Sequence, residues 1–287
     1  MNILPLHDGL QVAASVRRRL SIDRDRAAHL GRSSVEAIRR GTYKGPHGEE
    51  VHWRDLVDTA IAKKVSIPPD ASLPQPPVRN QKAETTVQVM NETSLAATHA
   101  LVDAGTDPLV LNFANGIHPG GGFLSGARAQ EENLCRSSAL YATLEGDPMY
   151  EHHKGRTQPD STDWCILSPD VPVFRTDDGL PLHQPWCTSF ITCAAPVATR
   201  IGQERSAELL EARIHRVLSV AQSYGFRTLV LGAWGCGAFG NDPHRTAMSF
   251  RSALESSFDG VFEHIVFAIS DWLNERRMLG PFAQVFS

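Results

Sequence analysis

Cysteine is scarce and not spaced for pairing: Cys135, Cys165, Cys187, Cys193 and Cys236 are odd in number, and no two form a C-x-x-C pair. That argues against a disulfide framework and against the common zinc spacings. Excess positive charge is also missing, with 28 Lys and Arg against 32 Asp and Glu and a formal net charge of −4. Broad affinity for nucleic acid or an anionic membrane needs clustered cations, so neither partner is expected. An anionic ligand must instead be held by local contacts. No apolar run approaches the ~20 residues that cross a bilayer. The opening stretch from Met1 to Asp8 lacks the basic and then apolar pattern of a secretory signal. These absences lead us to expect a cytoplasmic protein with no membrane partner. No internal repeat is visible, which removes solenoid architectures.

What is present is an ordinary globular composition, 41% apolar over 287 residues, enough for a substantial core. Residues 23–40 carry Ala27, Leu30, Val35 and Ile38 among many Arg, which predicts one or two amphipathic helices with a basic, solvated outer face. Pro68, Pro69, Pro74, Pro76 and Pro77 predict an extended connector. We therefore expect a helical N-terminal extension and connector over 1–77 and a catalytic body over 78–287.

Within that body, 85–90 alternates as a strand, Ser94 is placed to cap a helix running to Ala104, and 108–114 reads as a buried strand. A helix is expected over 131–144, short strands around 165–174, a strand at 188–192, and a helix over 205–224 with Leu210, Ile214, Val217, Leu218 and Ala221 on one stripe. Strands at 228–232 and 264–269 flank a helix opened by Asp242 and Pro243. The sum is an α/β sheet with helices on both faces.

Two glycine clusters stand out, each after a strand. The first runs Asn112-Phe-Ala-Asn115-Gly-Ile-His-Pro-Gly120-Gly121-Gly122 and, after a seven-residue spacer, reaches Gln130-Glu131-Glu132. Three successive glycines let backbone amides approach an anion or a sugar, and two carboxylates just beyond them supply acid/base chemistry. The second cluster, Gly232 to Gly240, formally satisfies G-x-G-x-x-G at Gly235, Gly237 and Gly240. Too little chain follows it for the second half of a dinucleotide-binding sheet, so a nicotinamide cofactor is not expected. A Gly-rich turn at a strand's carboxyl end, followed by a helix N-terminus, still presents donors to a diphosphate.

The triple glycine, the spacer and Gln130-Glu131-Glu132 resemble the signature of bacterial-type poly(ADP-ribose) glycohydrolases, and the likeness extends from about Asn91 to the end of the chain. It implies a three-layer α/β/α macrodomain-like mixed sheet and a glycosidase acting without metal or other cofactor. The substrates implied are poly(ADP-ribose) and ADP-ribosylated proteins, the product ADP-ribose, the attack mainly from the chain's free end, and the setting the DNA damage response; we expect a monomer. By the same resemblance Glu132 is the acid and base, Glu131 holds the ribose hydroxyls, and Asn115 bonds the distal ribose. Gly120, Gly121 and Gly122 close over the ligand, while Gln130 contacts it or braces the loop. Gly235, Gly237, Ala238 and Gly240 cradle the diphosphate, with Phe239 on the ribose beside the scissile bond. The segment 91–93 is the candidate adenine pocket.

Elementary chemistry sets alternatives beside several of these roles. Glu131 and Glu132 are neighbours whose side chains should diverge, so one residue is expected to serve as both acid and base. Both sit at a helix N-terminus, which lowers a carboxyl pKa, whereas burial raises it. Asn115 before Gly116 also fits a turn, and Phe239 a core position. His152 and His153 are expected in a solvated loop rather than on a metal, and Cys236 as a small buried residue rather than a nucleophile. A macrodomain that reads ADP-ribose without cleaving it, and a hydrolase of single protein-linked ADP-ribose groups, remain as alternatives.

Overall fold

Apolar side chains on both faces of successive strands dictate a buried sheet, as at Leu109 and Leu111 on one side of a strand and Val110 on the other. The computed structural model describes residues 1–78 and 82–287; residues 79–81, at the start of the expected body, lie outside them. The strands are β1 (Asn2–Ile3), β2 (Thr42–Lys44), β3 (Glu50–His52), β4 (Val65–Ile67), β5 (Thr86–Met90), β6 (Pro108–Ala114), β7 (Cys165–Arg175), β8 (Pro181–Ala194), β9 (Thr228–Leu231) and β10 (His264–Ala268). The first helices are α1 (Leu10–Leu20), α2 (Arg24–Arg40), α3 (Arg54–Lys63), α4 (Ser94–Asp103), α5 (Gln130–Ser137) and α6 (Leu140–Leu144). They are followed by α7 (Pro148–Lys154), α8 (Ala198–Ile201), α9 (Gln203–Ser223), α10 (Pro243–Glu255) and α11 (Leu279–Val285).

An eight-stranded sheet has the order β1-β5-β10-β9-β6-β8-β7-β4, with β2 and β3 forming a separate hairpin. The pairs from β1 through β8 are parallel, while β7 runs antiparallel to β8 and to β4. One core layer joins the sheet to α9, α10 and α11, and the other joins it to α2, α3, α5 and α6. Because the central strands are parallel, the carboxyl ends of β5, β10, β9, β6 and β8 share one edge, where open α/β sheets bind ligands. No helix among the described residues is long and apolar enough to cross a membrane.

Residues 1–77 are woven into this sheet, supplying β1 at one edge and β4 at the other. Trp53 is buried, stacks near Tyr43 and Phe174, and donates its indole N–H to Ala37 O at 3.2 Å, joining α2 to β7. The helix expected over 131–144 is two helices, because Ser138 leaves α5 to bridge Val173, and Ala139 donates to Pro172 O at 2.9 Å. The short strands expected near 165–174 are one bulged strand, β7. The cap of α4 is Thr93, whose hydroxyl accepts Ala96 N–H at 3.1 Å, and not Ser94. Ser94 Oγ accepts from Gln130 instead. At Asp242 the expected cap is present.

Trp53→Ala should destabilise the protein by about 3–5 kcal/mol, the range for emptying a buried aromatic site. A urea titration should show this as one cooperative transition moved to lower denaturant. A separate early transition would mean that the first 77 residues melt on their own.

Candidate active site

The carboxyl end of β6 leads into the first glycine cluster, and α5 returns beneath it with two carboxylates in its first turn. Glu131 is 3% exposed and Glu132 8%. Glu131 Oε2 accepts the Asn115 N–H at 2.7 Å, Oε1 takes a longer 3.4 Å bond from Asn112 Nδ2, and the Gly120 amide also donates to this carboxylate. Burial outweighs these bonds, and the charge of Glu132 adds to it, so the Glu131 carboxyl is pushed up to about 8. Of the two opposed influences expected in the sequence, desolvation wins at Glu131. Glu132 Oε1 accepts the Gly122 N–H at 3.0 Å, while its Oε2 is buried with no hydrogen-bond partner among the described residues.

Although they are chain neighbours, the two carboxylates converge. A Cβ placed on Gly121 would lie 2.4 Å from Glu132 Oε1 and 3.0 Å from Glu131 Oε2, and the backbone there has φ +57°. Only glycine fits. The expected divergence of the side chains therefore fails at their tips, because the glycine loop folds over both. The amides of this loop are already committed: Gly120 to Glu131, Gly121 to His118 O at 3.0 Å, and Gly122 to Glu132. The anion they hold here is the carboxylate pair.

Gln130 acts as a splint. Its Oε1 accepts the Phe113 N–H at 2.9 Å, and its Nε2 donates to Leu111 O at 2.8 Å and to Ser94 Oγ at 3.1 Å. It braces the end of β6 and not the glycine loop. Asn115 adopts the turn role, its Oδ1 accepting Ile117 and His118 N–H at 2.9 and 3.0 Å. The next residue, Gly116, is fixed by His153, which bonds its carbonyl through Nδ1 at 2.9 Å and Thr162 Oγ1 through Nε2 at 2.7 Å. His153 is thus a buried residue of α7, not part of a solvated loop, and burial lowers its pKa to about 4. Cys236 is buried and its thiol is raised to about 12 by desolvation, which makes it a poor nucleophile.

The second glycine cluster follows β9. Asn241 pins it, donating to Pro196 O at 2.9 Å and Gly235 O at 3.1 Å and accepting from Ser206 Oγ at 2.6 Å. Gly235 and Gly240 have φ +74° and +72°, and a Cβ on either would collide with Asn241, Ala195 or Thr199. Among the described residues, the amides of Gly235, Gly237, Ala238 and Phe239 donate to no protein acceptor. The start of α10 offers less than expected, because Asp242 Oδ1 takes the His244 and Arg245 N–H groups at 2.8 and 2.9 Å. The free loop amides remain the anion donors.

Two cavities of about 270 and 110 Å³ open at this sheet edge. They share Phe113, Ala129, Gln130, Ala233 and Gly237, so they form one cleft. Its narrower end is lined by Ala114, Gly235, Ala238 and Phe239, and its wider end by Thr93, Ser94, Ser270 and Trp272. Phe239 is part-buried against the core and also faces the cleft. Glu131, Glu132 and Gly120 to Gly122 do not line it; the two carboxylates follow directly on Ala129 and Gln130, under the loop that the glycines form. Of the expected adenine segment only Thr93 lines the cleft. Asn91 is structural, its side chain bonding Asp8 and both backbone groups of Asp271, and Glu92 pairs with Arg19. Sequence reasoning missed Asn241, Asn112 and Trp272, whose signal was their position, immediately before the cap of α10, within β6 and just past the end of β10 respectively.

The model of the microbial-type poly(ADP-ribose) glycohydrolase (PARG) catalytic domain matches residues 31–176. The poly(ADP-ribose) glycohydrolase of Thermomonospora curvata is 39% identical, with 91% of this chain and 100% of that chain covered and a TM-score of 0.84. The chain belongs to this family. The same T. curvata protein bound to the inhibitor ADP-HPD superposes with a TM-score of 0.83 at 39% identity, covering 91% of this chain and 99% of that one. The Deinococcus radiodurans glycohydrolase in complex with ADP-ribose gives 0.68 at 34% identity, covering 88% and 96%. No curated protein matches. The fold is the family's macrodomain-like α/β arrangement, here with an eight-stranded mixed sheet.

Because the folded-state pKa of Glu131 is raised, its contribution to stability is complete below the ordinary carboxylate range and declines as pH rises towards about 8. Glu131→Gln removes that slope. The stability of the unsubstituted protein relative to this variant should fall by a few kcal/mol between pH 5 and 8 and then level off, as read by urea unfolding across pH. Parallel pH profiles would contradict the assignment.

Proposed function

We propose that this chain is a glycosidase that hydrolyses the ribose–ribose O-glycosidic bond of poly(ADP-ribose), releasing ADP-ribose. The observation that carries the reading is a buried, unpartnered carboxylate oxygen, Glu132 Oε2, beside a second desolvated carboxyl, Glu131, both directly after Gln130, which lines a cleft with free backbone donors. An unsatisfied buried acceptor costs about 1–3 kcal/mol, which a site for binding alone has no reason to carry. The family relatives bound to ADP-HPD and to ADP-ribose support the same ligand.

In this reading the diphosphate meets the amides of Gly235, Gly237 and Ala238 in the narrow end of the cleft, held in shape by Gly240, and Phe239 packs on the adjoining ribose. Asn115, Glu131 and the loop from Gly120 to Gly122 hold that ribose from the other side, with Gln130 keeping the end of β6 in place. Burial and the neighbouring Glu132 charge hold the Glu131 carboxyl well above the ordinary carboxylate range. Glu132 delivers a proton to the departing ribose oxygen as the glycosidic C–O bond breaks, and the sugar passes through an oxocarbenium-like state. Water then attacks the anomeric carbon and returns its proton to Glu132. These steps are assigned to protein side chains alone. We extend the reading to a cytoplasmic monomer in the DNA damage response that acts on ADP-ribosylated proteins; the net charge of −4 supports the lack of direct nucleic-acid binding.

Labelled polymer incubated with the purified chain should give ADP-ribose, and Glu132→Gln should lower kcat by at least ~10²-fold with little change in ADP-ribose affinity, the scale of losing a general acid. Polymer left intact by the unsubstituted protein would reject the assignment. Release of protein-linked single units only would favour a mono-ADP-ribosyl hydrolase, and binding without turnover would favour a reader of ADP-ribose.

A further inference from the structure

Two buried titratable side chains behind the cleft have no part in the proposed chemistry. His153, on α7, accepts the Thr162 N–H at Nε2, 3.1 Å away, so its ring proton sits on Nδ1, which donates to Gly116 O at 2.9 Å. Arg213, on α9 beside Leu210 and Ile214, is fully buried. It donates through Nη1 to Ala194 O at 3.0 Å and through Nη2 to Asp160 O, and its Nε lies 3.4 Å from Asp163 Oδ1. A buried guanidinium costs desolvation energy, and an apolar side chain would suit the core stripe of α9 as well, so stability alone does not account for it.

Both side chains grip one segment, 159–163, which stands behind the two glycine loops. Towards the first loop, Gly116 rests on this segment: a Cβ there would lie 2.4 Å from Ser161 Oγ, 3.4 Å from Ala194 Cβ and 3.5 Å from His153 Nδ1. Ser161 is itself held at φ +52°, an uncommon conformation for a residue with a side chain. Towards the second loop, Pro159 O accepts the Val197 N–H at 3.0 Å. Val197 stands between Pro196, whose carbonyl takes the Asn241 amide, and Thr199, whose N–H donates to Phe239 O at 3.3 Å. One short piece of chain thus joins the turn at Asn115, whose amide holds Glu131, to the loop that carries Phe239.

We infer that segment 159–163 is a strut that fixes the spacing of the two glycine loops, and that His153 and Arg213 are positioning residues for hydrolysis that act through it. This rests on the proposed glycohydrolase function and deepens it. The ribose to be cut is held from both loops, so a strut that yields moves Asn115 and Glu131 relative to Phe239 while every group that touches the ligand is still present. A misplacement of about 1 Å costs up to ~10²-fold in rate.

The test measures kcat and KM on labelled polymer for His153→Leu, His153→Asn, Arg213→Lys and Gly116→Ala, with thermal melts of each. His153→Leu should lower kcat at least about tenfold with KM within about threefold. An asparagine amide can donate from near the place of imidazole Nδ1, so His153→Asn should recover most of that loss. Arg213→Lys keeps the charge but not the fork, and should lower kcat in the same way. Combined with His153→Leu, it should add little to the worse single loss, because the two act through one element. Gly116→Ala drives the turn off Ser161, and adding Ser161→Gly, which removes the clash, should restore kcat. If His153→Leu or Arg213→Lys fails to fold, that last pair decides the matter. An unchanged kcat in His153→Leu, losses that multiply in the double variant, or no restoration by Ser161→Gly would overturn the strut while leaving hydrolysis standing. Uncut polymer with the unsubstituted protein would remove the parent reading, and the strut's role with it.

Discussion

Two carboxyls with almost no access to water, at the start of a helix and under a loop of three glycines, are the constraint on which the site depends. Each needs donors that do not crowd it, and backbone amides supply the shorter of these bonds: Asn115 and Gly120 for Glu131, beside the longer one from the Asn112 side chain, and Gly122 for Glu132. A side chain on Gly121 would occupy the space where the carboxylates meet. The conformational freedom of glycine is thus spent on close approach, and its entropic cost of roughly 0.5–1 kcal/mol per residue is offset by satisfying buried oxygens. One oxygen, Glu132 Oε2, is left over.

That arrangement can persist only if β6 and α5 stay in fixed relation, and the sheet provides this. β6 lies at the centre of the sheet between β9 and β8, and Gln130 from the first turn of α5 bonds its backbone on both sides of Asn112. Asn112 itself is buried and reaches both Glu131 and Thr192 of β8. The second glycine loop is held by an equivalent device, Asn241, bonded to three different segments. Both glycine loops are therefore anchored on rigid strands, which lets irregular backbone hold a precise shape.

Much of this was legible from residue order. The spacing of the triple glycine and Gln130-Glu131-Glu132, the strands ending at each glycine cluster, and the stripe from Leu210 to Ala221 are local patterns whose period or chemistry is self-contained. What the sequence concealed depends on partners far away in the chain. Ser138 breaks a helix because β7 takes its backbone, Thr93 rather than Ser94 caps α4 because Gln130 claims Ser94, and His153 is buried because Gly116 and Thr162 meet it. The basic helix ends of residues 1–40 read as solvated, yet Arg17 and Arg18 of α1 line a groove with Trp272, which also lines the cleft.

Residue order by itself determined the family, the α/β class, the two glycine loops and the identity of the paired carboxylates, because these follow from short-range pattern and from residue type. The tertiary structure alone decided the electrostatic balance of that pair. The helix end at Gln130 and the burial of Glu131 pull its proton affinity in opposite directions, and only the depth of packing under the loop lets desolvation prevail. It also decided which amides are free for a ligand, because an amide is free or committed according to whether a distant acceptor reaches it, and that cannot be read along one dimension.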